Sequence, residues 1–263
     1  MKYTVLTLFP EITDAFFTTS IMAKAIKRGI IQYRAVNIRD FAKDKHKTCD
    51  DAPYGGGPGM LMLPEPLGLA LKSIFPAPKF LGAGQVPLPI NKPRVIYLSP
   101  SGRPFTQELA KELASEPELV LICGRYEGID QRIIDLFVDD EISVGDFVLS
   151  SGEVAALTVI DATYRLVDKV IRQDSLAEES FSDGLLEYPQ FTRPEEYANI
   201  KVPDILLSGH HEQIRLWQLE QRVKKTLRQR PDMIQRGKEM GLFNKEILYI
   251  IERIERMEGE KDE

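Results

Sequence analysis

Two cysteines, Cys49 and Cys123, three histidines and one tryptophan in 263 residues leave little room for several chemistries. A disulfide scaffold is excluded by so few cysteines. His46, Cys49, Cys123, His210 and His211 are scattered rather than set at zinc-ligand spacing, so no metal site is expected. No apolar run approaches the roughly 20 residues that a membrane-spanning helix needs. The N-terminus lacks a basic region, apolar core and small-residue cleavage site, and neither Met1-Lys2-Tyr3-Thr4 nor Lys261-Asp262-Glu263 carries a lipidation signal. The expectation is a soluble chain of the reducing cytoplasm with no membrane partner. What is present, 43% hydrophobic and 28% charged residues, excludes disorder and fibrous repeats. The net charge of −6 conceals an asymmetry. Gln213 to Lys238 holds eight Lys/Arg against two Asp/Glu, a basic segment able to meet a polyanion.

Tyr3 to Phe9, Arg94 to Leu98 and Leu119 to Cys123 are short runs of β-formers bounded by Pro or Gly, and read as buried strands. Ile21 to Ile31, Pro64 to Phe75 and Thr106 to Ser115 space their apolar residues as helices do. Such alternation predicts an α/β domain with a mostly parallel sheet. The proline-rich stretch 76–93 reads as a surface loop. A helix is expected from the Ser150-Ser151-Gly152-Glu153 turn to about Leu166, capped by Ser150 or Ser151. Asp168 to Asp183 is polar and aperiodic, hence a linker, and the chain stays irregular to about His211. A helical domain follows. In it Leu216, Leu219, Val223 and Leu227 form an apolar stripe with Trp217 in the core, Phe243 to Ile254 is a second amphipathic run, and the tail from Glu255 is too charged to pack.

Familiar nucleotide motifs fail on spacing. Gly55-Gly56-Gly57-Pro58-Gly59 has no Lys-Ser/Thr at the Walker offset, Gly82-Ala83-Gly84 opens no helix, and there is no Gly-x-Ser-x-Gly elbow. Three glycine-bearing turns remain after apolar strands: Leu98-Ser99-Pro100-Ser101-Gly102, Cys123-Gly124-Arg125-Tyr126-Glu127-Gly128 and Ser143-Val144-Gly145-Asp146. Turns at strand carboxyl ends converge on one crevice in a parallel sheet, and glycine lets a flat, adenine-like ligand approach the backbone. Tight strand-to-helix turns without a ligand fit the spacing equally well.

Longer strings carry a resemblance. Asp50-Asp51-Ala52-Pro53-Tyr54-Gly55-Gly56-Gly57-Pro58-Gly59-Met60, Val95 to Pro100, Cys123 to Asp130, Ser143 to Ser150, Gly184 to Pro189 with Thr192-Arg193-Pro194, and Leu206 to Gly209 leading to Ile214-Arg215-Leu216-Trp217 occur in order over about residues 1–235. In these blocks the chain resembles the bacterial tRNA (guanine-N1)-methyltransferases, knotted methyltransferases of the SPOUT type. The resemblance implies methyl transfer from S-adenosyl-L-methionine to N1 of the guanine just 3′ of the tRNA anticodon. It also implies a homodimer and a parallel α/β domain ending in a deep trefoil knot, followed by a small helical domain. Connectivity rules alone disfavour a knot. The implied division is a cofactor-binding domain over 1–167, a linker over 168–186 and a tRNA-binding helical domain over 187–263. A different target position and a tRNA-binding homologue without turnover are the alternatives, and a Mg2+ requirement is left open.

Carried over residue by residue, the cofactor positions are Tyr97, Leu98, Pro100, Gly124, Tyr126, Glu127, Val144, Gly145, Asp146, Phe147, Val148, Leu149 and Gly152. The family usually has two glycines where this chain has Ser151-Gly152, and a side chain there either crowds the cofactor or caps the helix. N1 of guanine carries a proton at neutral pH, so a base must remove it while a cation steadies the charge developing on O6. The resemblance places the base at Glu179 and the cation at Arg165. The family base is typically Asp, and the extra methylene of Glu moves the carboxylate by about 1.5 Å. Asp183 is the runner-up, with Asp174 after a shift in alignment. Arg215, Arg222, Lys224 and Lys225 are the implied contacts to RNA phosphate. Asp50, Tyr54 and the Gly55 to Gly59 loop reach toward cofactor or RNA, or form a turn only.

Overall fold

Apolar runs separated by turn residues become the central strands of one sheet. In a computed structural model, which describes residues 1–75, 92–171 and 179–259, the chain separates into two units, Met1–Ile171 and Arg172–Glu263. The first unit runs β1 (Lys2–Thr7), α1 (Pro10–Phe17), α2 (Ser20–Lys27), β2 (Gln32–Asn37), β3 (Asp50–Asp51), β4 (Leu61–Met62), α3 (Pro64–Lys72), β5 (Arg94–Pro104), α4 (Gln107–Ala114), β6 (Glu118–Cys123), α5 (Gln131–Phe137), β7 (Asp140–Ser143) and α6 (Gly152–Tyr164). Strands β2, β1, β6, β5 and β7 lie side by side in that order, all parallel. A short antiparallel pair joins β3 to β4.

Side chains of a strand alternate between faces, and β6 shows what that does here. Leu119, Leu121 and Cys123 join a core with Val159 and Ile160 of α6, whereas Val120 and Ile122 join Leu67 and Leu71 of α3 and Ile133 and Phe137 of α5 on the opposite face. Both faces are covered, so the central strands read as continuous apolar runs. The edge strands β2 and β7 are half exposed and polar, which is why alternation of apolar residues does not announce them. β5 extends past the expected Leu98: its pairing with β7 breaks register there, so that Leu98 and Arg103 both partner Ile142.

The helices end where their chemistry says. Thr106 caps α4, its hydroxyl accepting from the Leu109 amide at 3.3 Å. Gly29, at φ +72°, closes the turn after α2, so the helix expected through Ile31 stops at Lys27. The helix expected after Ser150-Ser151 forms as α6, but Ser151 at its N-cap makes no side-chain cap hydrogen bond. Of the proline-rich stretch, 76–91 lies outside the described residues, as does Asp174.

The second unit holds the hairpin β8 (Glu196–Tyr197) and β9 (Ile200–Lys201), then α7 (Asp204–Leu207), α8 (His211–Gln229), α9 (Pro231–Glu239) and α10 (Lys245–Gly259). Leu219 and Val223 of α8, Ile234 of α9 and Ile247, Ile250, Ile251 and Ile254 of α10 close a core on Leu185 and Phe243. One expectation is corrected. Leu216 is 40% exposed and Trp217, which the 3.6-residue period sets about 100° round the helix from Leu216, is half-buried against the Phe191 ring, 6.4 Å between centroids, rather than in the core. The tail from Glu255, expected to be too charged to pack, continues α10 as helix to Gly259 with Glu255, Arg256 and Met257 exposed.

Among the described residues no helix is long and apolar enough to cross a membrane.

Candidate active site

Tyr97 to Pro100 in the middle of β5, where its pairing with β7 breaks register, the carboxyl ends of β6 and β7 and the start of α6 enclose a cavity of about 270 Å³, near the lower end of the range for small-molecule sites, roughly 300–1,000 Å³. All three glycine-bearing turns contribute. Tyr97, Leu98, Pro100, Gly124, Tyr126, Glu127, Val144, Gly145, Phe147, Val148, Leu149 and Gly152 line it. Asp146 is exposed and absent from the lining. Ser99, Arg125, Ile142, Ser143, Ser150, Ser151 and Ala155 line it too. Of these Arg125 is the informative omission, since it sits between two residues already selected.

Backbone contact sets the width of this crevice. The Gly152 amide donates to the Gly124 carbonyl at 2.9 Å, and a Cβ on Gly152 would lie 2.7 Å from Cys123 Cα, so α6 begins against bare backbone of the β6 turn. Ser151 precedes this contact in an ordinary extended conformation, φ −167° and ψ 157°, which any residue adopts. Ser151 lines the cavity and makes no side-chain cap hydrogen bond.

The β3–β4 pair is tied to the same turn. Met62 and Glu127 amides donate to Gly128 and Met60 carbonyls, each at 3.0 Å. Burial and the neighbouring Asp50 push the Tyr126 hydroxyl above its ordinary pKa, and Tyr126 holds a positive φ of 59°, uncommon for a non-glycine residue. Asp50 thus touches the cavity wall through Tyr126. Tyr54 is fully exposed, and Gly55, Gly56, Gly57 and Gly59 all have positive φ, so the loop is a projecting glycine turn whose base rests on Glu127. Burial raises the Tyr97 hydroxyl as well, keeping it a neutral wall.

Beneath the cavity lies a buried charge. Glu153, in the first turn of α6, is 0% exposed. Its Oε1 accepts from Thr7 Oγ1 at 2.6 Å. Its Oε2 faces Arg125 Nε at 3.5 Å.

Arg165 is the C-terminal cap of α6, in the first unit. Glu179 and Asp183 belong to the second unit, in a tight loop where the Ser182 amide donates to the Glu179 carbonyl at 3.1 Å and the Glu187 amide to Ser180 Oγ at 3.1 Å. Asp183 is occupied: Arg222 grips both carboxylate oxygens, one at 3.0 Å. Arg222, expected to face RNA, is instead 8% exposed and also donates to the Leu186 carbonyl. Arg215 is shared between Glu212 and Glu246, and Lys224 pairs with Glu220. Among the described residues Lys225 alone of the four forms no ion pair, and no group of three or more His, Cys, Asp or Glu could hold a metal ion.

Comparison with known proteins adds to this geometry. Residues 1–236 match the model of the family described as tRNA (Guanine-1)-methyltransferase TrmD. Similar curated proteins carry the name tRNA (guanine-N(1)-)-methyltransferase. One from Treponema denticola is 59% identical over 255 residues, 97% of this chain and 99% of the relative. One from Treponema pallidum is 54% identical over 255 residues, 97% and 96%. One from Borreliella burgdorferi is 54% identical over 235 residues, 89% and 92%.

Proposed function

Since this chain belongs to the tRNA (guanine-1)-methyltransferase family, an enzyme methylating guanine N1 in tRNA, we propose that the cavity bounded by β5, β6, β7 and α6 is where it holds its methyl donor, S-adenosylmethionine. The observation that carries the reading is the convergence of three glycine-bearing turns on one small cavity. The residues suit the group. Leu98, Ile142 and Leu149 offer apolar walls to a flat base, the backbone at Gly124 and Gly152 is open to close approach, and the Glu127 carboxylate at the rim balances a cationic ligand. When bound, the cofactor supplies an electrophilic methyl group.

The remaining chemistry belongs to the chain. Glu179 acts as the base that takes the N1 proton, and Arg165 neutralises the charge that grows on O6. Glu179 is preferred to Asp183 because both carboxylate oxygens of Asp183 are gripped by the Arg222 guanidinium, which fixes that side chain in the second unit's own packing. For RNA, Lys225 and the adjacent Arg228 are the phosphate contacts, with Arg215 and Lys224 reaching phosphate only by giving up their carboxylate partners. Arg222 serves the fold.

The target is the guanine just 3′ of the anticodon, and the enzyme works in the cytoplasm, where tRNA is. The first unit carries the trefoil knot. What supports this reading is the path of the chain from β7, at the sheet edge beyond β5, back to α6, whose first amide bonds the turn after β6. Phe147 and Val148, 55% and 85% exposed at the cavity rim, form an apolar surface that a second copy covers, making a homodimer. Labelled methyl transfer into tRNA transcripts with G or A at the target, run beside Glu179→Gln and Arg165→Ala, tests the assignment. Incorporation is expected only with G and falls by orders of magnitude in both variants. Full turnover of Glu179→Gln would assign the base elsewhere.

A further inference from the structure

A carboxylate with no solvent access costs several kcal/mol unless it is paired and hydrogen-bonded, so Glu153, at 0% exposure beneath the cavity, requires a reason. The fold alone does not supply one, since an apolar side chain would fill the same space at the start of α6 at lower cost. Its partners point to the cavity instead. Thr7 Oγ1 donates to Oε1 at 2.6 Å and itself accepts from the Phe9 amide at 2.9 Å. Oε2 forms an ion pair with Arg125 Nε at 3.5 Å, and among the described residues neither atom has a hydrogen-bond partner. The Arg125 guanidinium lies over the Phe9 ring, 4.3 Å from its centroid, and Arg125 lines the cavity. One carboxylate thereby joins the turn after β1, the turn after β6 and the first turn of α6, whose positive dipole end favours its charge.

We infer that Glu153 is a positioning residue for the methyl donor. It holds Arg125 in the cavity wall and locks the Gly124-Arg125-Tyr126 turn against the start of α6, which fixes the width of the crevice. The inference rests on reading the cavity as the S-adenosylmethionine site. It goes beyond that reading by assigning a role to a residue that touches neither substrate nor reacting atoms.

Glu153→Gln keeps the shape and an oxygen for Thr7 but removes the charge that holds Arg125. Arg125→Met removes the other charge, and the double variant removes both. Calorimetry with S-adenosylmethionine gives cofactor Kd, steady-state kinetics give kcat and both KM values, and thermal melts report folding. Each single variant is expected to weaken cofactor Kd and KM about tenfold, a typical coupling for contacting charged groups, with kcat at saturating cofactor and tRNA KM within about twofold. The double variant is expected to be no worse than either single one, because the two residues act as one unit. Wild-type affinity in Glu153→Gln, or additive losses in the double variant, would overturn the inference. So would parallel rises in cofactor and tRNA KM with a lowered Tm, the mark of a structural role. Should Glu153→Gln not fold, the double variant, free of any unpaired buried charge, decides. The affinity of Arg125→Met supports the inference, and wild-type affinity refutes it. A wild-type enzyme that does not bind S-adenosylmethionine would instead defeat the cofactor reading itself.

Discussion

Adding one methyl group at Gly152 tests whether backbone contact sets the crevice. The Cβ of alanine would meet Cys123 Cα at 2.7 Å, Gly124 N at 2.8 Å and Cys123 C at 3.1 Å. All three are backbone atoms, so no side chain can rotate away. Relief requires the start of α6 to retreat about 0.7 Å, to the 3.4 Å at which ordinary contact begins. That movement stretches the 2.9 Å bond from the Gly152 amide to the Gly124 carbonyl beyond useful length. Overpacking of this kind costs about 1–3 kcal/mol, and the lost backbone bond adds about 1 kcal/mol. Gly152→Ala is therefore expected to lower the unfolding free energy by about 2–4 kcal/mol. Because Gly124 and Gly152 both line the cavity, the same displacement is expected to weaken S-adenosylmethionine at least about tenfold, or 1.4 kcal/mol. Urea denaturation and calorimetry measure the two quantities. Ser151→Gly is the control, since Ser151 already sits in a conformation open to any residue, and its cofactor Kd is expected to stay within about twofold. Wild-type stability and affinity in Gly152→Ala would refute the reasoning.

Gly68→Ala, inside α3 with only Ile133 Cδ1, among the described residues, within contact of the new Cβ at 3.4 Å, is expected to raise stability by about 0.5–1 kcal/mol in urea denaturation and to leave kinetics unchanged. Asp183→Asn leaves the 8% exposed Arg222 without its counter-charge, and is expected to cost about 1–3 kcal/mol, read as a lower Tm at unchanged cofactor KM. Lys225→Ala is expected to weaken tRNA binding and reduce the slope of log K against log salt by about 1, whereas Arg222→Ala lowers Tm with a small change in that slope. Hydrogen bonds from Arg215 hold the Glu212 and Glu246 carboxylates below the usual glutamate value of 4.5. Carboxylates depressed in this way stabilise the folded state fully above the unfolded value, and that stability is lost as pH falls through the lower folded value. Melts of the wild type are thus expected to lose more Tm below pH 4.5 than melts of Arg215→Gln.

The middle of the sheet is legible in the sequence because it is buried on both faces. β1, the first half of β5 and β6 are runs such as LVLIC that no solvent-facing residue interrupts. Its edges are not legible, because β2 and β7 trade apolar residues for Arg34, Asp140 and Glu141, and a strand with one free side needs no such run. The extension of β5 to Pro104 is hidden by the register break at Leu98, where local sequence reads as a turn. Arg94, half-buried among Asp140, Glu112 and Glu116, likewise shows its role only through partners distant in sequence.

The site divides along the same line. Its glycine turns are legible, since a turn is a local object and strand order in a parallel sheet brings strand ends together. Its charges are not, because a charge in a sequence has no partner until the chain folds. The segment from Gln213 to Lys238 reads as a basic face, yet Arg215, Lys224 and Arg222 each close on a carboxylate from Glu212, Glu246, Glu220 or Asp183. On the proposed reading, what such a helix offers to a polyanion is Lys225 with Arg228, which form no ion pair among the described residues, rather than its net charge. Asp183 is a further case: from sequence it is one more acid of the connecting segment, and only the fold shows Arg222, 39 residues on, gripping both of its oxygens. Glu153 is the converse, an unremarkable acid beside Gly152 whose burial becomes visible only when Thr7 and Arg125, 146 and 28 residues away in sequence, are folded against it. Because partnership rather than residue type decides which charges stay available, substitutions at Arg222 and Lys225 are expected to part ways, one in stability and the other in RNA affinity.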